Sequence, residues 1–288
     1  VNGPSHPWRP TTVRRFIRAF PTSTRVVLVD TDAGQGYLKA MGGPEGPHPL
    51  ACEWVGTQLA RWLGLLTFDF SLIEVTADDE LPFAGGGHAM SGPAFIARAE
   101  SGEPWSGDPK QLMRLSNPEH LARLVVFDTW TLNCDRHCAP PKGKVGWPRI
   151  NRDNVFLSED EAPAGQLILK AMDHTCCFTC GRELTTAVRM IDNIKEGRVF
   201  GLFPEFRRFI ERGQIRRAAN DLARIDPGTL HTMIHTIPKE WEVTREVQDA
   251  LGELILTRAA YVADTIERKI WPQRALEFGN SPETELPP

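Results

Sequence analysis

Two short segments concentrate side chains able to do chemistry: Asn133-Cys134-Asp135-Arg136-His137 and, further on, Met172-Asp173-His174. Asn154 lies between them, and Asp173 follows the apolar run Leu167-Ile168-Leu169. An Asp in a polar turn, a downstream Asn and a second Asp leaving a hydrophobic strand are the parts of ATP-dependent phosphoryl transfer. One carboxylate orients a hydroxyl nucleophile, while the amide and the other carboxylate offer hard oxygens to Mg²⁺ on ATP. A carboxylate at the end of an apolar strand also needs a partner or a cation, which singles out Asp173.

Such groups need two kinds of framework, and the chain supplies both. Val26-Val27-Leu28-Val29, then Asp30 to Gly36, then Tyr37-Leu38-Lys39-Ala40-Met41 reads as strand, turn and strand. A helix is expected over about 50–63, where Leu50, Trp54, Val55, Leu59 and Trp62 share a face and Gly64 follows as a cap. Further strands are expected over 68–75 and around Phe95-Ile96-Ala97, joined by the Gly-rich stretch 82–92. From Pro118 the pattern becomes helical, with Leu121, Leu124, Val125, Asp128 and Leu132 leading into Asp135. Val155-Phe156-Leu157 and Leu167-Ile168-Leu169 read as a strand pair, and everything after about Thr185 as helix, ending with 247–270. A β-rich first third and an α-rich second half predict two lobes with the chemistry between them. The expected division is a loose N-terminal segment 1–12, an N-lobe 13–97, a C-lobe 98–278 and a loose tail 279–288.

Bulk properties narrow the classes. At 288 residues the chain is long enough for two lobes, and 41% apolar with 24% charged residues is ordinary globular composition. A net charge of −4 gives no reason to expect nucleic acid or an anionic membrane as partner. No apolar run approaches the ~20 residues of a membrane span, and no secretory signal pattern is present. The expectation is a cytoplasmic protein whose six cysteines are thiols.

The ordered set of motifs resembles the HipA-like kinases, relatives of the protein-kinase and phosphoinositide-kinase folds. The resemblance spans roughly 12–271. It is carried by Gly36-Tyr37-Leu38-Lys39, Glu53, Phe127 to His137, Arg152-Asp153-Asn154-Val155-Phe156-Leu157, Asp173 to Phe178 and Ile237-Pro238-Lys239-Glu240-Trp241. It implies an α+β bilobal kinase-like fold, with ATP and Mg²⁺ as cofactors. Lys39 would contact ATP phosphates and be steadied by Glu53; Gly34 and Gly36 would bring backbone N–H groups to phosphates. Asp135 would be the catalytic carboxylate, with Arg136 and His137 orienting its loop, and Asn154 and Asp173 would bind Mg²⁺. The implied acceptor is a protein Ser or Thr hydroxyl, the kinase's own included, or a small hydroxyl-bearing molecule; a regulatory protein partner is also implied.

One departure stands out. Related kinases place the metal Asn five residues after the catalytic Asp, whereas here Asn154 comes much later, past an approximate insertion at 138–151 that includes Pro140, Pro141, Lys142, Lys144 and Arg149. The strand-like residues directly after Asn154 favour it, with Asn151 as the alternative. Cys177-Phe178-Thr179-Cys180 has the spacing of a zinc half-site that Cys134, Cys138, His137 and His174 could complete, which keeps a catalytically silent nucleotide- or zinc-binding module as the non-enzyme alternative. The arginines of 206–224 read as a solvated helix face, or as a dock for an acidic partner.

Overall fold

The computed structural model describes residues 8–140 and 148–272. The chain end 279–288 and Pro141, Lys142 and Lys144 of the insertion lie outside the described residues. Strands β1 (Val13–Ala19), β2 (Val27–Thr31) and β3 (Gly34–Lys39) form an antiparallel meander. Helix α1 (His48–Trp62) follows, then β4 (Phe70–Val75) and β5 (Gly92–Arg98), giving one sheet in the order β1-β2-β3-β5-β4. Ahead of β1, the Trp8 indole donates to the Ala33 carbonyl, and Thr11 and Thr12 donate to the Asp32 carboxylate. Residues 8–12 are thereby tied to the β2–β3 turn.

Two-residue alternation decides what each strand presents. Val27, Val29 and Leu38 are fully buried and meet Ile73, Val75, Ala94 and Ile96 in a core on one face of the sheet. Tyr37 and Lys39, one residue out of phase with Leu38, face a cavity on the other side. In α1, Pro49 occupies the first turn, where a missing N–H costs nothing, and Gly64 (φ 80°) follows the helix end. The helix buries more than the expected apolar face: Glu53 and Thr57, four residues apart, are buried too, and so need internal partners.

The second lobe opens with β6 (Gly102–Pro104), α2 (Pro109–Leu112) and α3 (Glu119–Thr131). A short hairpin, β7 (His137–Cys138) and β8 (Arg149–Ile150), precedes β9 (Val155–Ser158) and β10 (Ile168–Ala171), and β10-β9-β6 form a small antiparallel sheet. The segment expected as an insertion therefore closes on its own base, with Cys138 opposite Arg149. Helices α4 (Ile191–Ile194), α5 (Arg212–Leu222), α6 (Pro227–His235) and α7 (Arg245–Ile270) complete the fold.

The region after Thr185 is helical in shorter pieces than its sequence pattern suggests. Pro204–Arg208 is a 3₁₀ turn, and α5 begins only at Arg212. Phe203 and Phe206 pack on Trp105 at 5.2 and 5.1 Å between ring centroids, so tertiary packing overrides helical periodicity there. Helix α7 anchors the base of the site. Its fully buried Arg258 donates to the carbonyls of Thr129 and Trp130 at the end of α3, and to those of Asn193 and Ile194. A cation against the negative end of a helix is favourable, although burial pulls the Arg258 pKa down to about 10. Across the lobes, the buried Trp241 donates its indole N–H to Pro93 O at 3.0 Å. Among the described residues no helix is long and apolar enough to cross a membrane.

Candidate active site

Lys39 leaves the end of β3 and meets two carboxylates. Its Nζ is 2.8 Å from Glu53 Oε2 and 3.0 Å from Asp173 Oδ1. Glu53 is also held by the backbone N–H of His174 at 2.9 Å, and Asp173 Oδ1 accepts from the Thr175 hydroxyl at 2.7 Å. The His174 ring, whose pKa burial lowers, sits 3.0 Å from the Thr57 hydroxyl. Gly56 makes this approach possible, since a Cβ there would run into His174 and Cys177. Burial disfavours the Lys39 ammonium, yet Asp173 and Glu53 outweigh it and hold the pKa above the usual lysine range. Burial likewise works against the Glu53 carboxylate, and Lys39 and His174 prevail, keeping it below the usual carboxylate range. Asp173 itself has φ 55°, a left-handed conformation that Asp tolerates better than most residues, directly after the β10 extension.

The second cluster springs from the end of α3. Leu132 adopts φ 58° and ends the helix, so that Asn133 to Arg136 form a turn rather than another helical turn. Asp135 Oδ2 accepts from the amides of Asn154 (2.6 Å) and Asn151 (3.2 Å), and Oδ1 faces Arg149 at 3.1 Å. Both candidate asparagines thus reach Asp135, but Asn154 lines the cavity and Asn151 does not.

Arg136 and His137 point away from this carboxylate. Arg136 is fully buried and binds Asp128 of α3, Asn154 O at 2.9 Å and Met172 O at 2.5 Å. One guanidinium therefore ties together α3, the Asn154 segment and the residue before Asp173. Burial pushes the Asp128 pKa up to about 6, against the pull of Arg136 and Asn133. Gly201 (φ 69°) packs so closely that any Cβ would strike the Asp128 carboxylate. The His137 ring lies against Phe203, 5.3 Å between centroids, and its carbonyl accepts from Gly201 N. Both residues shape the turn from behind.

Between the lobes lies a cavity of about 440 Å³. Its walls are apolar, with Tyr37, Phe70, Phe95, Ala97, Phe156 and Met172, and one end carries Lys39, Asn154 and Asp173. An apolar slot ending in a cation and hard oxygen donors suits a flat aromatic base joined to a polyanion. Gly34 and Gly36 are not part of the lining. Gly36 abuts Ile96 and Trp8 on the opposite face of β3, because it alternates with Tyr37. The turn that reaches the cavity is instead the one between β1 and β2, through Phe20, Thr22 and Val26. Its signal in the sequence is Pro21-Thr22-Ser23-Thr24 between two strand-like runs. Gly102 and Pro104 of β6 also line the cavity, beside Phe95 and Ala97 of β5.

The donors present suit Mg²⁺. Asn154 spends its amide N–H on Asp135 and keeps Oδ1, while Asp173 engages Lys39 and Thr175 through Oδ1 and keeps Oδ2. The zinc alternative fares differently. Among the described residues, no three His, Cys, Asp or Glu side chains converge on a common point. His174 is engaged with Thr57, His137 packs on Phe203, and the Cys177 thiol lies 3.5 Å from the Thr131 hydroxyl.

Comparison with known proteins adds three findings. No curated protein matches the chain by sequence. Among solved structures, the fold is similar to that of a Helicobacter pylori proinflammatory kinase, CtkA, with a TM-score of 0.56 and 12% identity over 91% of this chain and 98% of that one. At that identity the likeness is one of fold, and the fold is that of a kinase. The sequence itself matches the HipA-like kinase family over residues 18–271, a stretch that contains the β1–β2 turn, Lys39, the Asp135 turn, Asp173 and all of α7. With both lobes and the cavity between them inside that match, the chain belongs to the HipA-like kinase family.

Proposed function

We propose that this kinase binds MgATP in the inter-lobe cavity and transfers the γ-phosphoryl group to a serine or threonine hydroxyl of a protein, its own chain included. The observation that carries the reading is the meeting of Lys39 and Asp173 at 3.0 Å at the charged end of an otherwise apolar cavity, beside Asn154 and its partner Asp135. The apolar walls would take the adenine. Lys39, its direction set by Glu53, would face phosphate oxygens. Asn154 Oδ1 and Asp173 Oδ2 would hold Mg²⁺, which when bound draws charge from the phosphate oxygens.

Asp135 would align the acceptor hydroxyl and accept its proton, with Oδ2 held by two amides and Oδ1 turned toward the exposed Arg149. The protein contributes little covalent chemistry; alignment and preset charges supply the rate. The acceptor class follows the resemblance to HipA-like kinases. Free thiols throughout and dependence on ATP fit a reducing compartment, the cytoplasm.

Thermal shift with ATP and Mg²⁺, together and separately, tests the site. A native-state ligand at a hundredfold excess over Kd stabilises by about 2.7 kcal/mol. That stabilisation should need both ligands and vanish in Asp173→Ala. Absence of a shift, or an equal shift in Asp173→Ala, overturns the assignment. Labelled ATP followed by phosphosite mapping then decides the acceptor: label on a small molecule alone would exclude the protein reading.

A further inference from the structure

We propose that Arg149 recognises the acceptor, selecting a serine or threonine hydroxyl flanked by an aspartate or glutamate side chain; this rests on Asp135 being, as proposed above, the carboxylate that meets the hydroxyl. Asn154 and Asp173 line the inter-lobe cavity and Asp135 does not, so an acceptor reaches Asp135 from outside the nucleotide slot. Asp135 Oδ2 already accepts from the amides of Asn154 and Asn151, at 2.6 and 3.2 Å. Oδ1 faces the Arg149 guanidinium at 3.1 Å. A hydroxyl that comes to Oδ1 therefore arrives beside Arg149.

The β7–β8 hairpin fixes this guanidinium in place. It sets Arg149 opposite Cys138, and the Asn151 N–H donates to Arg136 O at 2.7 Å, which ties the strand end to the Asp135 turn. A second guanidinium nitrogen lies 3.7 Å from Cys134 Sγ. The Arg149 side chain is nevertheless 56% exposed, against 15% for Asp135, so its remaining N–H donors are open to an incoming group. Two other arginines stand close by and are already committed. Arg198 touches Cys138 Sγ at 3.3 Å and pairs with Glu196 at 2.7 Å, and Arg152 pairs with Glu205 at 2.5 Å. Arg149 is paired instead with the carboxylate that reacts.

That pairing gives the acceptor its chemistry. As the acceptor oxygen bonds to the γ-phosphorus, the bond to the bridging oxygen of ADP breaks and the hydroxyl proton passes to Asp135. The carboxylate charge is then cancelled, and Arg149 loses its counter-ion. An acidic side chain next to the acceptor hydroxyl replaces it with a charge-assisted pair that the planar guanidinium can make in a forked geometry. A basic side chain there meets a like charge. The chain as a whole carries a net charge of −4 and does not attract acidic partners, so the selection has to be local.

The test offers the full chain, with MgATP, a set of Ser/Thr peptide libraries whose flanking positions are acidic (Asp, Glu), neutral (Asn, Gln) or basic (Lys, Arg). The wild type should phosphorylate the acidic library with a kcat/KM on the order of tenfold above the neutral one, the scale of one hydrogen bond between charged groups, and the basic library least. Arg149→Gln should erase the difference between the acidic and neutral libraries, and Arg149→Lys should keep part of it. A merely structural loss would slow every library alike and leave the ratio unchanged. No acidic preference in the wild type, or the same preference in Arg149→Gln, overturns the proposal. If no library is phosphorylated, the transfer reading fails, and retention of the libraries on immobilised, MgADP-loaded protein decides the role of Arg149 separately. Retention of the acidic library that Arg149→Gln loses upholds that role; equal retention by both proteins, or none, overturns it.

Discussion

Lys39 Nζ stands 3.0 Å from Asp173 Oδ1, so a strand end in the β-rich lobe is joined by a direct ion pair to a residue beyond β10. Since Glu53 grips the same ammonium from the other side, Lys39 cannot be removed without leaving Glu53 buried and unneutralised. Lys39→Ala should cost about 3–5 kcal/mol in urea unfolding and lower phosphoryl transfer by roughly 10²–10³-fold. The pair also sets a pH window. The depressed Glu53 contributes stability that is present above the usual carboxylate range and lost as pH falls through its folded-state pKa. The raised Lys39 contributes stability that is present below the usual lysine range and lost as pH rises through its own. A Lys39→Met, Glu53→Leu double variant should flatten both edges in pH-dependent melting; unchanged edges would refute the assignment.

Asp135 is the side chain whose loss should separate chemistry from binding. Asp135→Ala should lower kcat by about 10²–10⁴-fold and leave the KM for ATP and the nucleotide thermal shift close to wild type. Steady-state kinetics with varied ATP checks both, and a retained kcat would remove Asp135 from the proposed mechanism.

Asn154 and Asn151 both donate to Asp135, but only Asn154 borders the cavity. Asn154→Ala should raise the Mg²⁺ concentration for half-maximal rate by at least about 10–100-fold, the cost usually seen for partners one shell further out. Asn151→Ala should leave the Mg²⁺ requirement alone and lower kcat modestly by loosening Asp135. The reverse pattern would exchange their roles.

Arg136 binds Asp128, the Asn154 carbonyl and the Met172 carbonyl from a fully buried position. Arg136→Met should therefore destabilise the fold by about 3–5 kcal/mol, because it strands a buried carboxylate. Gly201→Ala probes the same node from outside, through a positive φ and a Cβ aimed at Asp128; a loss of about 1–3 kcal/mol is expected. Denaturant melts that fail to move for either variant would show the node to be slack.

Alkylation of Cys134 by iodoacetamide should set in at lower pH than for an ordinary thiol, because the thiolate is the nucleophile and the Arg149 guanidinium lies 3.7 Å from its sulfur. Cys52, pushed up to about 12, should stay unmodified in the folded protein. Mass-resolved labelling across pH distinguishes them, and equal labelling of both would argue against activation of Cys134 by Arg149.

Periodicity and local pattern by themselves determined much of this protein. Alternation in 26–41 and helical spacing in 50–63 and 118–132 specify elements whose partners lie nearby. The side chains that meet at the cavity, Lys39, Glu53, Asn154 and Asp173, sit in recognisable local settings in a characteristic order. Other features were decided only when distant segments packed. Which turn covers the cavity depends on the face each β3 residue takes in the sheet, and alternation turns Gly36 away while the β1–β2 turn brings Thr22 in. Arg149 approaches Asp135 only because the segment between them closes as β7 and β8. Arg136, expected beside Asp135 only as a residue that orients its loop, becomes an internal brace once Asp128, Asn154 and Met172 surround it. Cys180 reaches the Leu132 carbonyl through two left-handed residues, and Arg149 reaches Cys134 through the β7–β8 pairing, contacts that no local pattern announces. Local sequence sets which groups are available and which faces they can occupy; a buried charge or thiol takes its chemistry from partners that only the folded chain brings within reach.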